Sequence, residues 1–152
     1  MPQFCQQSWH RGCCPAAIIL FTDAPVTRTA LADTLSVLQR LHPNLLIMGE
    51  SDAIEFALDR MRPHLSEPIA SWLPWTCAAL PDGSFRTLIV SDVDEMNVEQ
   101  QNQLMTLNDD DGSDVQVIST TKTELFAVVE RGAFLERLYY QLNVLFLDLR
   151  RR

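Results

Sequence analysis

The chain has 152 residues, enough for one domain with a sizeable core, and a composition of 47% apolar and 21% charged residues excludes a disordered polymer. A net charge of -8 and a pI near 4.7 argue against a broad nucleic-acid-binding face, which needs clustered positive charge. No apolar run reaches the ~20 residues that span a bilayer, and no basic region followed by an apolar core opens the chain, so a cytoplasmic protein without a signal peptide is expected.

Residues 1–14 read as a mobile arm and 15–152 as a single α/β domain. Cys5, Cys13 and Cys14 fall in the arm beside His10, and Cys77 stands apart. Paired C-x-x-C spacing is missing, and adjacent Cys13 and Cys14 make poor joint ligands. Reduced thiols on an arm are favoured over a metal site, and no metal ligand set is expected.

Ala16 to Phe21 is a continuous apolar run, the pattern of a buried strand. A helix over 29–41 follows, with Leu31, Leu35 and Leu38 on one face. His42-Pro43 ends it, because a residue before proline avoids the helical region. Asn44 to Met48 is a second strand, stopped by Gly49. Ser51 is the expected N-cap of the next helix, with Asp52 and Glu55 in its first turn and Ile54, Ala57, Leu58 and Met61 as its inner stripe. Pro63 stops that helix. Residues 64–84 hold Pro68, Pro74, Pro81 and Gly83 with Trp72 and Trp75, and read as an irregular connection or a short hairpin.

Thr87 to Val90 is a third strand. Asn97 caps a helix to Asn108, with Gln100 at the capping-box position. Asp109 to Asp114 carries alternate acids without the spacing of a calcium loop and reads as a solvated turn. Val115 to Ser119 is a fourth strand. Thr123 caps a short helix, and Gly132 sits where a left-handed residue is wanted. A helix over 134–142 and a strand over 144–149 close the pattern. Five strands alternating with helices predict a parallel sheet covered on both faces.

The closing stretch, Gly132-Ala133-Phe134-Leu135-Glu136-Arg137-Leu138-Tyr139-Tyr140-Gln141-Leu142-Asn143-Val144, resembles the "G-x-F-R-x-D-L-Y-Y-R-L-N-V" signature of the AAA+ ATPase domain of bacterial enhancer-binding proteins, the activators of sigma-54 RNA polymerase. Arg86 to Met96 is similar to that family's "G-T-L-F-L-D-E-V-G-E-L", and Val115 to Leu125 to its "V-R-V-I-A-A-T-N-R-D-L". The resemblance is strong over residues 86–149, weaker over 15–50, and not visible in 51–85. It implies a five-stranded P-loop/AAA+-like sheet without the helical lid and without a DNA-binding helix-turn-helix. No "G-A-F-T-G-A" loop, which contacts the sigma factor in the family, occurs between Gly49 and Arg86.

Mapped onto that signature, the chemistry is altered at each position. A phosphate loop needs G-x-x-x-x-G-K-[ST] between a strand and a helix. After Phe21, Thr22 and Thr27 stand for its glycines, Arg28 for its lysine, and Thr29 alone fits. A β-branched residue cannot supply glycine's left-handed geometry, and arginine is not lysine's equivalent there. A plain strand-to-helix connection is favoured over a working loop. The resemblance gives Ser91 the magnesium-binding aspartate's place, Asp92 the catalytic glutamate's, and Lys122 that of the asparagine that senses the γ-phosphate. A one-residue slip would move Asp92 to the metal and put Val93 at the base. Leu135 and Gln141 take the places of the two arginine fingers that reach a neighbour's ATP.

The resemblance therefore implies a domain without efficient hydrolysis that regulates transcription through protein–protein contact, with no catalytic residues. The implied partner is an intact AAA+ activator or a second copy, without direct DNA or membrane binding. No cofactor is expected. The alternative is a nucleotide sensor that holds ATP and magnesium weakly through Arg28, Thr29, Asp92 and Lys122. Three further features have two readings each. Tyr139 and Tyr140 are core residues or an interface; Trp72 and Trp75 are buried packing or the lining of a groove; Asp92, Asp94 and Glu95 are a solvated acidic loop or a divalent-ion site.

Overall fold

The computed structural model describes residues 18–20, 28–76, 79–109 and 114–150. The arm at 1–14 lies outside the described residues. Strand β1, Ile18–Leu20, leads to helix α1, Arg28–Leu41, whose Leu31 and Leu38 are buried while Leu35 packs partly buried beside them. The chain leaves α1 at His42, which adopts φ 49, a left-handed conformation that removes it from the helical region barred by Pro43. Strand β2, Leu45–Met48, is buried throughout. Helix α2, Ser51–Met61, turns Ile54, Ala57, Leu58 and Met61 inward, and a single tight turn over Arg62–His64 carries Pro63 beyond it.

The proline-rich stretch holds a strand rather than an irregular connection or hairpin. Strand β3, Ile69–Trp72, pairs in parallel with β4, Thr87–Val90. Trp72 is 1% exposed, and burying so large a ring fixes this segment against the core. Helix α3, Val98–Asp109, strand β5, Gln116–Thr121, helices α4, Leu125–Glu130, and α5, Glu136–Leu142, and strand β6, Leu145–Asp148, complete the chain.

All pairings are parallel, in the order β1-β6-β2-β5-β4-β3. The expected parallel sheet with helices on both faces is present, extended by β3 at one edge. Alternation along the strands splits the core. Leu45, Ile47, Ile89 and Ile118 pack under α1 and α2, whereas Leu46, Leu88, Val90 and Val117 pack under α3, α4 and α5. Near-continuous apolar strands are what a sheet buried on both faces demands.

Local signals in the third quarter of the chain are realised as expected. The Asn97 Oδ1 accepts from Gln100 N at 2.9 Å, and Gln100 Oε1 accepts from Asn97 N at 3.0 Å, a reciprocal capping box. At the end of α4, Gly132 has φ 73, Gly132 N donates to Val129 O, and Ala133 N donates to Val128 O. This pair of bonds is a Schellman motif, which requires a left-handed residue. Gly132→Ala is therefore expected to lower stability by about 1 kcal/mol, read from the urea midpoint; an unchanged midpoint would contradict the strain argument.

Candidate functional site

In an open parallel sheet, ligands bind at the carboxyl ends of neighbouring strands whose following helices depart to opposite faces. Strand β2 leads into α2 on one face, and its neighbour β5 leads into α4 and α5 on the other. The crevice therefore lies between Gly49-Glu50-Ser51 and Lys122, with Ser91 and Asp92 at the end of the next strand, β4.

This topology corrects the expected position of the phosphate loop. Strand β1 is at the edge, separated from β5 by β6 and β2, about 14 Å at the usual strand spacing. Arg28 and Thr29 open α1 after that edge strand, so they are not gathered with Asp92 and Lys122. Thr22 and Thr27 lie outside the described residues. The connection facing the crevice is the one after β2, and the legible signal was an apolar run followed by Gly49 and a helix. Set against G-x-x-x-x-G-K-[ST], Gly49 matches the first glycine, while Ile54, Glu55 and Phe56 occupy the places of the second glycine, the lysine and the hydroxyl.

No loop intervenes to wrap a phosphate. Glu50 holds the N-cap position in an extended conformation without a side-chain bond, and Ser51, expected as the cap, is already helical. Glu50, Asp52 and Glu55 are exposed on this first turn and a half. A phosphate there would meet carboxylates where lysine is needed, and the favourable helix dipole cannot offset several like charges. Gly49 is close-packed instead. A Cβ on it would lie 2.9 Å from Leu149 Cβ, and Gly49 N donates to Thr121 O at 3.1 Å.

Across the crevice, Asp92 is left-handed at φ 51 and ψ 55. Its backbone N–H donates to Thr120 Oγ1 at 3.3 Å, and its carboxylate lies 3.7 Å from Lys122 Nζ. The two positions are brought together, and they pair with one another. Half-buried Ser91 donates its backbone N–H to Trp72 O at 3.0 Å. Asp94 accepts from Thr123 Oγ1 at 3.0 Å, so Thr123, expected to cap α4, is used elsewhere and Glu124 holds that cap. Among the described residues no group of three His, Cys, Asp or Glu side chains is placed to hold a metal ion.

The sigma-54 interaction domain family model matches residues 76–151, half of the chain. The chain belongs to the sigma-54 interaction domain family. Among solved structures, NtrX from Brucella abortus in complex with ADP is similar at a TM-score of 0.67 and 20% identity, over 80% of this chain and 35% of NtrX. The P-loop NTPase domain of the sigma-54 transport activator from E. coli is similar at 0.54 and 16%, over 72% of this chain and 98% of that domain. Domain III of the Thermotoga maritima replication initiation protein DnaA is similar at 0.53 and 18%, over 85% and 64%. At these identities the likeness is one of fold, and this chain spans about a third of NtrX. No curated protein matches it.

Within this sigma-54 interaction domain, Leu135 and Gln141, the residues that the resemblance sets at arginine-finger places, make contacts inside the fold. Leu135 precedes α5 and packs partly buried against the core, its N–H donating to Gln101 Oε1 at 2.8 Å. The Gln141 side chain donates to Asp109 Oδ1 at 2.6 Å, beside the Arg137–Asp109 pair at 2.8 Å. Of the two tryptophans, Trp72 is core and Trp75 is 61% exposed. An open groove of about 720 Å³ lined by Leu80, Gln103 and Leu107 lies along α3, away from the crevice. No helix among the described residues is long and apolar enough to cross a membrane.

Proposed function

We propose that this sigma-54 interaction domain is non-catalytic and acts in transcriptional regulation by binding another protein. The observation that carries this reading is the crevice after β2, where helix α2 starts at once from Glu50 and presents Asp52 and Glu55 in place of a glycine loop and lysine. The pairing of Asp92 with Lys122 supports it, because an aspartate held by a lysine is poorly placed to polarise an attacking water. Leu135 and Gln141 support it too, since neither can reach a neighbour's phosphates as an arginine does.

The partner in this reading is an intact AAA+ activator or a second copy of the chain, met in the cytoplasm. Joining a ring of active subunits would place Leu135 and Gln141 against a neighbour's nucleotide and silence that site. Two measurements test the reading. Calorimetric titration with ATP and magnesium should give no saturable heat, corresponding to a dissociation constant weaker than ~1 mM. Mixing the chain with an active activator should lower its ATPase rate; saturable micromolar ATP binding together with an unchanged rate would sink the proposal.

A second reading, a weak nucleotide sensor, is favoured by one observation: NtrX, a fold neighbour, was solved in complex with ADP and, in a separate structure, with ATP. Asp92 and Lys122 are the adjacent pair that would serve it, without Arg28 and Thr29, which open the helix after the edge strand. In that case Lys122→Ala would weaken ATP binding measurably, and binding would be seen in the titration above.

A further inference from the structure

Helices α4 and α5 meet at a cluster of three aromatic rings. Phe126 and Tyr139 lie with ring centroids 5.6 Å apart and tilted by 53°, and Tyr139 and Tyr140 lie 5.3 Å apart, edge to face. The outer two rings are partly exposed, Phe126 at 40% and Tyr140 at 38%. Both belong to helices whose other faces carry core residues, Leu125 and Val128 on α4 and Leu138 and Leu142 on α5. The rings therefore form a surface, and the core packing beneath holds them in place.

The rim of this surface is acidic. Glu130 lies one helical turn beyond Phe126, and Glu136 one turn before Tyr140, spacings that put each pair on a common face. Glu124 is close enough to Tyr139 that its charge, after the larger effect of burial, helps raise the phenol above its ordinary pKa. Glu124, Glu130 and Glu136 are all exposed, and none forms an ion pair among the described residues. Nearby cations are partly committed: Arg137 is held by Asp109, and Arg150 is held by Asp148 while also feeling the charge of Glu124, leaving Arg131 at the far end of α4.

Aromatic faces carry negative charge at their centres and attract cations, arginine above all, because its planar guanidinium stacks on a ring while its N–H groups still donate to carboxylates. Aromatic residues also anchor protein interfaces. We propose that the face formed by Phe126, Tyr139 and Tyr140, rimmed by Glu124, Glu130 and Glu136, docks an arginine-bearing segment of a protein partner. Charge complementarity selects this occupant over a purely apolar one. The inference rests on the protein-binding reading above and names where that binding occurs.

Its test uses the whole chain and two fluorescein-labelled peptides, one alternating arginine with serine and one alternating lysine with serine. Anisotropy is read at about 0.15 M salt, where long-range attraction to the acidic chain is screened. The arginine peptide is expected to bind about tenfold more tightly than the lysine peptide. Phe126→Ala and Tyr140→Ala should each weaken it by about threefold to thirtyfold, and Glu124→Gln with Glu136→Gln should act similarly. Trp75→Ala, at an exposed ring elsewhere, should leave it unchanged.

Equal binding of the two peptides, or binding indifferent to Phe126 and Tyr140, overturns the proposal. So does no binding of the arginine peptide. If these fail while the chain still lowers an activator's ATPase rate, this face is the wrong one and the protein-binding reading stands. If the rate is also unchanged, both fall.

Discussion

Replacing Gln101 by alanine is expected to cost about 3 kcal/mol. Gln101 is fully buried. Its Nε2 donates to Met96 O at 2.9 Å and to Ala133 O at 3.1 Å, and its Oε1 accepts from Leu135 N at 2.8 Å. One side chain thereby satisfies three backbone groups on two segments, the start of α3 and the turn between α4 and α5. Each bond is worth about 1 kcal/mol net, and each buried group left without a partner loses its desolvation as well. Against a total stability of about 5–15 kcal/mol, the loss is large, and the thermal midpoint should fall by about 10 °C.

Gln101→Glu separates the contributions. A carboxylate keeps the acceptor for Leu135 N but removes both donors and introduces a buried charge, so it should be no better than alanine. A midpoint within a degree or two of the parent for either variant would show that the α3 to α5 link is not held this way. Gln101 also anchors Leu135, the residue that the resemblance sets at the first arginine-finger place, at the start of the helix carrying Tyr139 and Tyr140.

Gly49→Ala is expected to cost about 2 kcal/mol, and the reason separates two readings of that glycine. The added Cβ would lie 2.9 Å from Leu149 Cβ, and both atoms are fixed to backbone just past the ends of the adjoining strands β2 and β6. Leu149 N donates to Met48 O at 2.7 Å, so the two chains cannot part without breaking that bond. Leu149→Ala retains the clashing atom and should not rescue stability. A glycine kept for phosphate would behave differently, since its substitution would spare the urea midpoint and reduce ATP binding. That second outcome would favour the nucleotide-sensor reading over a non-catalytic domain.

Much of the fold was legible because its signals are local. The capping box of Asn97 and Gln100, the left-handed Gly132 and the inward stripe of Ile54, Ala57, Leu58 and Met61 depend on residues within one or two turns of each other. Helix ends were read less well where a side chain found a distant partner. Thr123 bonds to Asp94, twenty-nine residues away, rather than capping α4. Strand β3 was hidden by its prolines, since a four-residue run has no period of its own and Trp72 is drawn in by contacts with elements far along the chain.

The amino-acid sequence by itself determined a parallel α/β domain, the identity of most of its elements, and the altered residues Ser91, Asp92, Lys122, Leu135 and Gln141 on a sigma-54-activator pattern. Only the tertiary structure decided which strand is central. Ala16 to Phe21 and Asn44 to Met48 are apolar runs of the same kind, each followed by a helix, and nothing local distinguishes an edge from a centre. The distinction comes from which strands pair, with β2 between β6 and β5 and β1 outside them. That choice moves the crevice from Arg28 to Gly49, where the exposed carboxylates of Glu50, Asp52 and Glu55 follow at the start of α2. Pairing is a competition among long-range packing arrangements, and the local pattern of a strand does not record its neighbours.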